Sequence, residues 1–346
     1  MKERLSNIEL LRIIAIFLIL IFHSNFLALG SPTNNLLQAN PSFTFSQVFL
    51  ESLAVICVDI FVLISGWFAI RPKVSSFCSF IFQLAFFFIG IFVLFVLFGL
   101  RSFSVNGILG SLLLLPQHNW FIRAYVCLYI IVPILNTFVE NVEMHELRKT
   151  LIFFFIFQTI FSWLFDAASF FESGYSTMSF IGLYLLGRYV RIVSPKWCNF
   201  NKWIDFIIYM GISLILSVTA IFVISIDKSG AMSKIYSYVN PLVILSSLYL
   251  LLFFSKLSIK SKVINWIASS SFAAYLLHAN PNIFSSYFVP TIRQIVEEHT
   301  GFSVLIFLFF FLVVVYIVAI FLDKIRQFVW NRLWRNIKHK GSSYIV

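Results

Sequence analysis

The chain has 346 residues, 60% of them hydrophobic and only 11% charged, with 44 phenylalanines and a mean hydropathy of +0.94. A soluble fold of this length could not hide so much apolar surface from water; soluble classes are excluded, and an all-α integral membrane protein is expected. The formal charge of +11 would point to nucleic acid in a soluble chain, but the bases cluster in short loops between apolar runs, where topology and anionic lipid explain them.

The opening, Met1-Lys2-Glu3-Arg4 before an apolar run, loosely imitates a signal peptide. Glu9 and Arg12 interrupt the approach to that run, so an uncleaved first membrane helix is expected. Apolar runs of about 20 residues, the length that spans the hydrocarbon core, fall at 8–29, 47–70, 76–99, 120–139, 150–166, 177–193, 203–226, 234–254, 265–289 and 302–322. The fold expected is a bundle of about ten transmembrane helices. The stretch 107–116 is too short to span and is expected at the surface or re-entering the membrane. No repeat or linker divides the chain, so 1–346 reads as one membrane domain with a basic tail at 323–346. Cys57, Cys78, Cys127 and Cys198 show neither disulfide nor metal spacing, and no metal site is expected. If the N-terminus is cytoplasmic and the spans alternate, nineteen of the 25 Lys and Arg fall in cytoplasmic segments and four in outer loops. That bias puts both termini in the cytoplasm.

Ionisable groups at bilayer depth are costly and usually face a cavity, a partner or a site. Arg12 and His23 are eleven residues apart, which places them on one helix face about 16 Å apart along the axis. The plain alternative is an Arg12 that snorkels to lipid phosphate and a His23 that merely bonds a neighbouring helix. Asp59 lies twelve residues before Arg71, about 18 Å deep if the second helix is unbroken, and so at a depth like that of His23. A carboxylate beside an imidazole fixes its tautomer and raises its basicity, as a general base requires; a purely structural His–Asp pair is the alternative. Ser65-Gly66-Trp67 is expected to break the second span, its glycine admitting another backbone or a ligand. Arg71 and Lys73 then flank a turn at the cytoplasmic mouth, where with Arg12 they would clamp phosphates. Glu9 is expected to pair with Arg12 at i, i+3.

At these residues the sequence resembles the acyltransferase 3 family of integral-membrane acyltransferases. Glu9, Arg12 and, after ten residues, His23 resemble its first-helix pattern, with Glu9 where the family usually has Asp. Val58-Asp59-Ile60-Phe61 through Ser65-Gly66-Trp67 is similar to its second-helix signature, and Arg71 to a basic position after it. His118-Asn119-Trp120-Phe121-Ile122 resembles its mid-chain Trp-Phe segment, and Tyr275-Leu276-Leu277-His278 its late Tyr-Leu-x-His motif. Arg123 departs from the small or polar residue expected after that Trp-Phe pair.

The resemblance implies an acyl-CoA co-substrate, most often acetyl-CoA, with no permanently bound cofactor. It implies an acceptor hydroxyl on a surface polysaccharide or glycolipid sugar, in a bacterial inner membrane; a homo-oligomer is left open. On that reading Arg12, Arg71 and Lys73 hold the donor, His23 is the general base and Asp59 orients it. Glu9, Ser65, His118, Trp120 and His278 are supporting or acceptor-binding residues. Trp120 is equally readable as a bilayer anchor, and His278 as satisfying a backbone carbonyl near Pro281. The competing function is a transporter or flippase for a lipid-linked sugar, which fits ten helices with buried charges equally well on physics alone. A non-catalytic scaffold leaves the Arg12–His23 stripe unexplained.

Overall fold

The computed structural model describes residues 4–112 and 119–342; all of its regular structure is helical among those residues. Seven helices are long and apolar enough to cross a membrane: α1 (Ser6–Leu27), α2 (Pro41–Phe68), α3 (Val74–Leu97), α4 (Trp120–Asn141), α5 (Met144–Leu164), α7 (Lys202–Ser225) and α12 (Phe302–Arg335). Between them lie α6 (Thr177–Val193) and α8 (Pro241–Ser255), of 17 and 15 residues. The protein is a multi-pass membrane helical bundle.

The expected run 265–289 is not one span. It is divided into α9 (Lys262–Ala268), α10 (Phe272–His278), two short turns over 281–288 and α11 (Val289–Glu298). Ser269, Ser270 and Ser271 break the first junction, where serine side chains compete for backbone hydrogen bonds. Asn280 caps the second junction through its side chain, followed by Pro281, which has no N–H to continue the helix. Such breaks are tolerated at membrane depth only where protein covers them. His278 is wholly buried.

α2 also differs from expectation. It starts at Pro41, capped by the Asn40 side chain, and is interrupted at Val55–Ile56 rather than at Ser65-Gly66-Trp67. Its C-terminal part, Cys57–Phe68, runs unbroken to Ala69, which takes a left-handed φ of 51°. Gly66 serves close approach instead. A Cβ there would lie 2.1 Å from the Tyr184 carbonyl oxygen of α6, and one on Gly187 would lie 2.5 Å from the Leu63 oxygen. The two glycines let α2 and α6 pack backbone to backbone.

α1 packs against α2, α8, α9, α10 and α12. The basic segment after residue 322 is no loose tail: helix continues unbroken from Phe302 to Ser342. An ion pair and a hydrogen bond to a buried carboxylate, neither revealed by hydropathy, hold helices together. Lys256 of α8 meets the buried Asp205 of α7 at 2.5 Å. On α12, Asp323 takes Arg326 at 2.8 Å and Gln83 of α3 at 2.9 Å. Each buried charge is matched, so these are structural ties rather than sites.

Candidate active site

The last turn of α1, His23–Leu27, is wound as a π-helix, a distortion that often marks a functional site. Asn25 carries the distortion, at φ −94° and ψ −106°. Its side-chain amide donates to the Gln47 carbonyl oxygen at 2.7 Å and to Glu51 Oε2 at 2.8 Å, anchoring the turn to α2.

His23 opens that turn and lines a cavity of about 240 Å3. Aromatic side chains dominate its walls: Phe22, Trp120, Phe121, Tyr175, Tyr238 and Tyr275. The Trp120 and Tyr175 rings are 4.4 Å apart, and Tyr175 and Tyr238 5.1 Å. Partial desolvation beside these rings pushes the Tyr175 phenol up from its ordinary value. Trp120 therefore packs within an aromatic chamber. His118 lies outside the described residues.

The central contact joins two motifs 255 residues apart. His23 Nδ1 lies 2.9 Å from His278 Nε2, and His278 Nδ1 lies 2.5 Å from the Ala274 carbonyl oxygen. A carbonyl oxygen only accepts, so Nδ1 of His278 carries the proton. A wholly buried imidazole with no acid bonded to it is neutral, which leaves its Nε2 as an acceptor. His23 then donates from Nδ1 to that nitrogen. The relay Ala274–His278–His23 sets the tautomer that a general base needs.

Asp59, expected beside His23, does not bond it. Cys57 and Val58 line the chamber, and the helical advance of about 100° per residue turns Asp59 away. It is 0% exposed, and neither of its carboxylate oxygens has a hydrogen-bond partner among the described residues. Matched depth brings two side chains together only on straight helices; the interruption of α2 and the π turn of α1 change the register. His278 is a hydrogen-bonded neighbour of His23, while Asp59 bonds no group among the described residues.

The other expected residues gather at the opposite end of α1. Arg12 donates to Glu9 at 2.7 Å and stands over the Phe68 ring at 5.6 Å. Ser65 bonds the Phe61 carbonyl oxygen and Tyr125, linking α2 to α4 away from the chamber. Arg71 and Lys73 are exposed and make no ion pair among the described residues. Their turn is held from α4, where Asn136 donates to the Ile70 carbonyl oxygen at 2.9 Å and Tyr129 accepts from the Lys73 backbone N–H at 3.1 Å. Arg191, readable in the sequence only as a loop charge, lies 4.8 Å from the Trp67 ring centre. Tyr175 and Tyr238 were also missed. Tyr238 lies inside the apolar run 234–254 and Tyr175 just before 177–193, and only the folded chain brings them to Trp120.

A membrane bundle with a paired histidine in an aromatic chamber and a cluster of cations at the far end of the same helix has the parts of a membrane group-transfer enzyme. The chain belongs to the acyltransferase 3 family: the family's acyltransferase-domain model matches residues 5–324. It is a membrane acyltransferase. Comparison with curated proteins and with solved structures gives no match.

Proposed function

We propose that the protein is an O-acyltransferase of a bacterial inner membrane that moves an acetyl group from acetyl-CoA to a hydroxyl of a surface polysaccharide or glycolipid sugar. The observation that carries this reading is the hydrogen-bonded His23–His278 pair at the wall of an aromatic chamber. Aromatic walls suit a sugar ring, which stacks its C–H face on them. The acceptor oxygen attacks the thioester carbonyl carbon while its proton passes to His23 Nε2. The tetrahedral intermediate then expels the CoA sulfur, which takes that proton. Arg12, Arg71 and Lys73 hold the CoA phosphates by charge-assisted hydrogen bonds at the other end of α1.

This reading places both termini and the cation cluster in the cytoplasm, with α6, α8 and the broken segment α9–α11 completing ten crossings. Reporters fused at the C-terminus and in the loop at Ser173 should report opposite sides; a shared side would refute it. Purified protein given labelled acetyl-CoA and the host's surface glycan should yield alkali-labile label on the glycan. Movement of intact glycolipid without ester formation would replace acyl transfer by transport.

A further inference from the structure

The His23 chamber is small. At about 240 Å3 it falls below the 300–1,000 Å3 typical of ligand pockets, room for one sugar ring beside a thioester. Next to it lies a second cavity of about 560 Å3, and Phe22 and Tyr175 wall both.

The second cavity differs in chemistry. Six serines line it: Ser31, Ser162, Ser173, Ser229, Ser233 and Ser237. Asp166 and Lys234 bring one charge of each sign, so nothing there selects an anion such as a phosphate. Ser162 is only 4% exposed and its hydroxyl has no hydrogen-bond partner. A buried hydroxyl left unpaired is costly, and here it belongs to a residue in the wall of the second cavity, whose lining mixes polar and apolar groups. Trp163 shapes that wall by donating to the Lys234 carbonyl oxygen at 2.8 Å, while Lys234 Nζ donates to that of Leu164 at 2.8 Å. Ser233 and Ser237 already donate to the Gly230 and Ser173 carbonyl oxygens, so their hydroxyl oxygens offer acceptor sites; with the other hydroxyls and one charge of each sign, this lining matches a neutral polyhydroxyl chain.

We propose that this vestibule is an extension subsite for the acceptor glycan: it holds the sugars next to the one acylated beside His23, so the enzyme prefers an oligosaccharide to a monosaccharide. The inference rests on the acyl-transfer reading and names the length of its acceptor. The chain passes between Phe22 and Tyr175, one ring in the aromatic chamber and its neighbours among the serines. Binding energy gathered in the vestibule positions the reacting hydroxyl.

The test uses the full-length protein, labelled acetyl-CoA, and the host's surface glycan hydrolysed and fractionated into monosaccharide and tetrasaccharide pools. The tetrasaccharide pool should show a kcat/KM at least tenfold higher. Ser233→Trp, which fills the vestibule away from His23, should abolish that advantage and leave the monosaccharide rate unchanged, which also shows that the variant folds. Ser162→Val should reduce the advantage by a smaller factor. Equal rates for the two pools, or an advantage that survives Ser233→Trp, would overturn the subsite and leave acyl transfer standing. Label on neither pool would refute acyl transfer itself, and the subsite with it.

Discussion

The two ends of α1 are built on opposite terms. At the His23 end, geometry is over-determined: a π turn anchored through Asn25, a buried partner histidine, and a wall of closely packed, tilted aromatic rings. At the Arg12 end, cations stand half or fully exposed, steadied by one carboxylate and one ring. On the proposed function, the difference follows from what each end would do. Proton transfer needs a nitrogen held within hydrogen-bond reach of the acceptor, which only a packed interior supplies. Capturing a polyanion needs charge within a screening length, and mobile side chains suffice.

Substitutions can break this contrast at graded cost. The largest effect should come from Gly66→Val on the α2–α6 clasp, since even a Cβ would overlap the Tyr184 carbonyl oxygen. Overpacking of this kind costs about 1–3 kcal/mol or more, and little monodisperse protein should survive size-exclusion chromatography. Next, His278→Ala should lower kcat by roughly 10- to 100-fold, out of the 10²–10⁴ a positioned base contributes, with donor KM unchanged. Adding it to His23→Ala should do little further harm, because residues that act as one unit are not additive. At the other end, Arg71→Ala should mainly raise donor KM. A lost charge-assisted contact of about 1.5–3 kcal/mol corresponds to roughly 10- to 100-fold, with kcat nearly kept. The smallest effect should be that of Asp59→Asn, less than about tenfold in kcat, because Asp59 bonds no group in the chamber. A loss matching that of His278→Ala would return the orienting role to Asp59.

The same contrast explains what the sequence could show. The cation end is local: Glu9 and Arg12 are one turn apart, and Arg71 and Lys73 flank a proline, so their clustering is legible as spacing. Seven of the ten apolar runs became long apolar helices because hydropathy registers burial in lipid. The run at 265–289 misled because its apolar average masks three serines and an Asn-Pro pair that break the helix. Gly66 was legible as a close approach, though as packing against Tyr184 rather than as a helix break. At the catalytic end, motif resemblance picked out His23 and His278 separately. Nothing in either motif says that they touch, since 255 residues separate them and the contact depends on both the π turn and the broken helix. The Asp59 oxygens bond no group among the described residues: depth along straight helices does not specify direction.

The most direct test of the central claim is single-turnover transfer from labelled acetyl-CoA by His23→Ala beside a measurement of its donor affinity. The account predicts unchanged donor affinity and a transfer rate lower by about 10²–10⁴, the usual contribution of a positioned base. Transfer at the unmodified rate by the His23→Ala protein would contradict it.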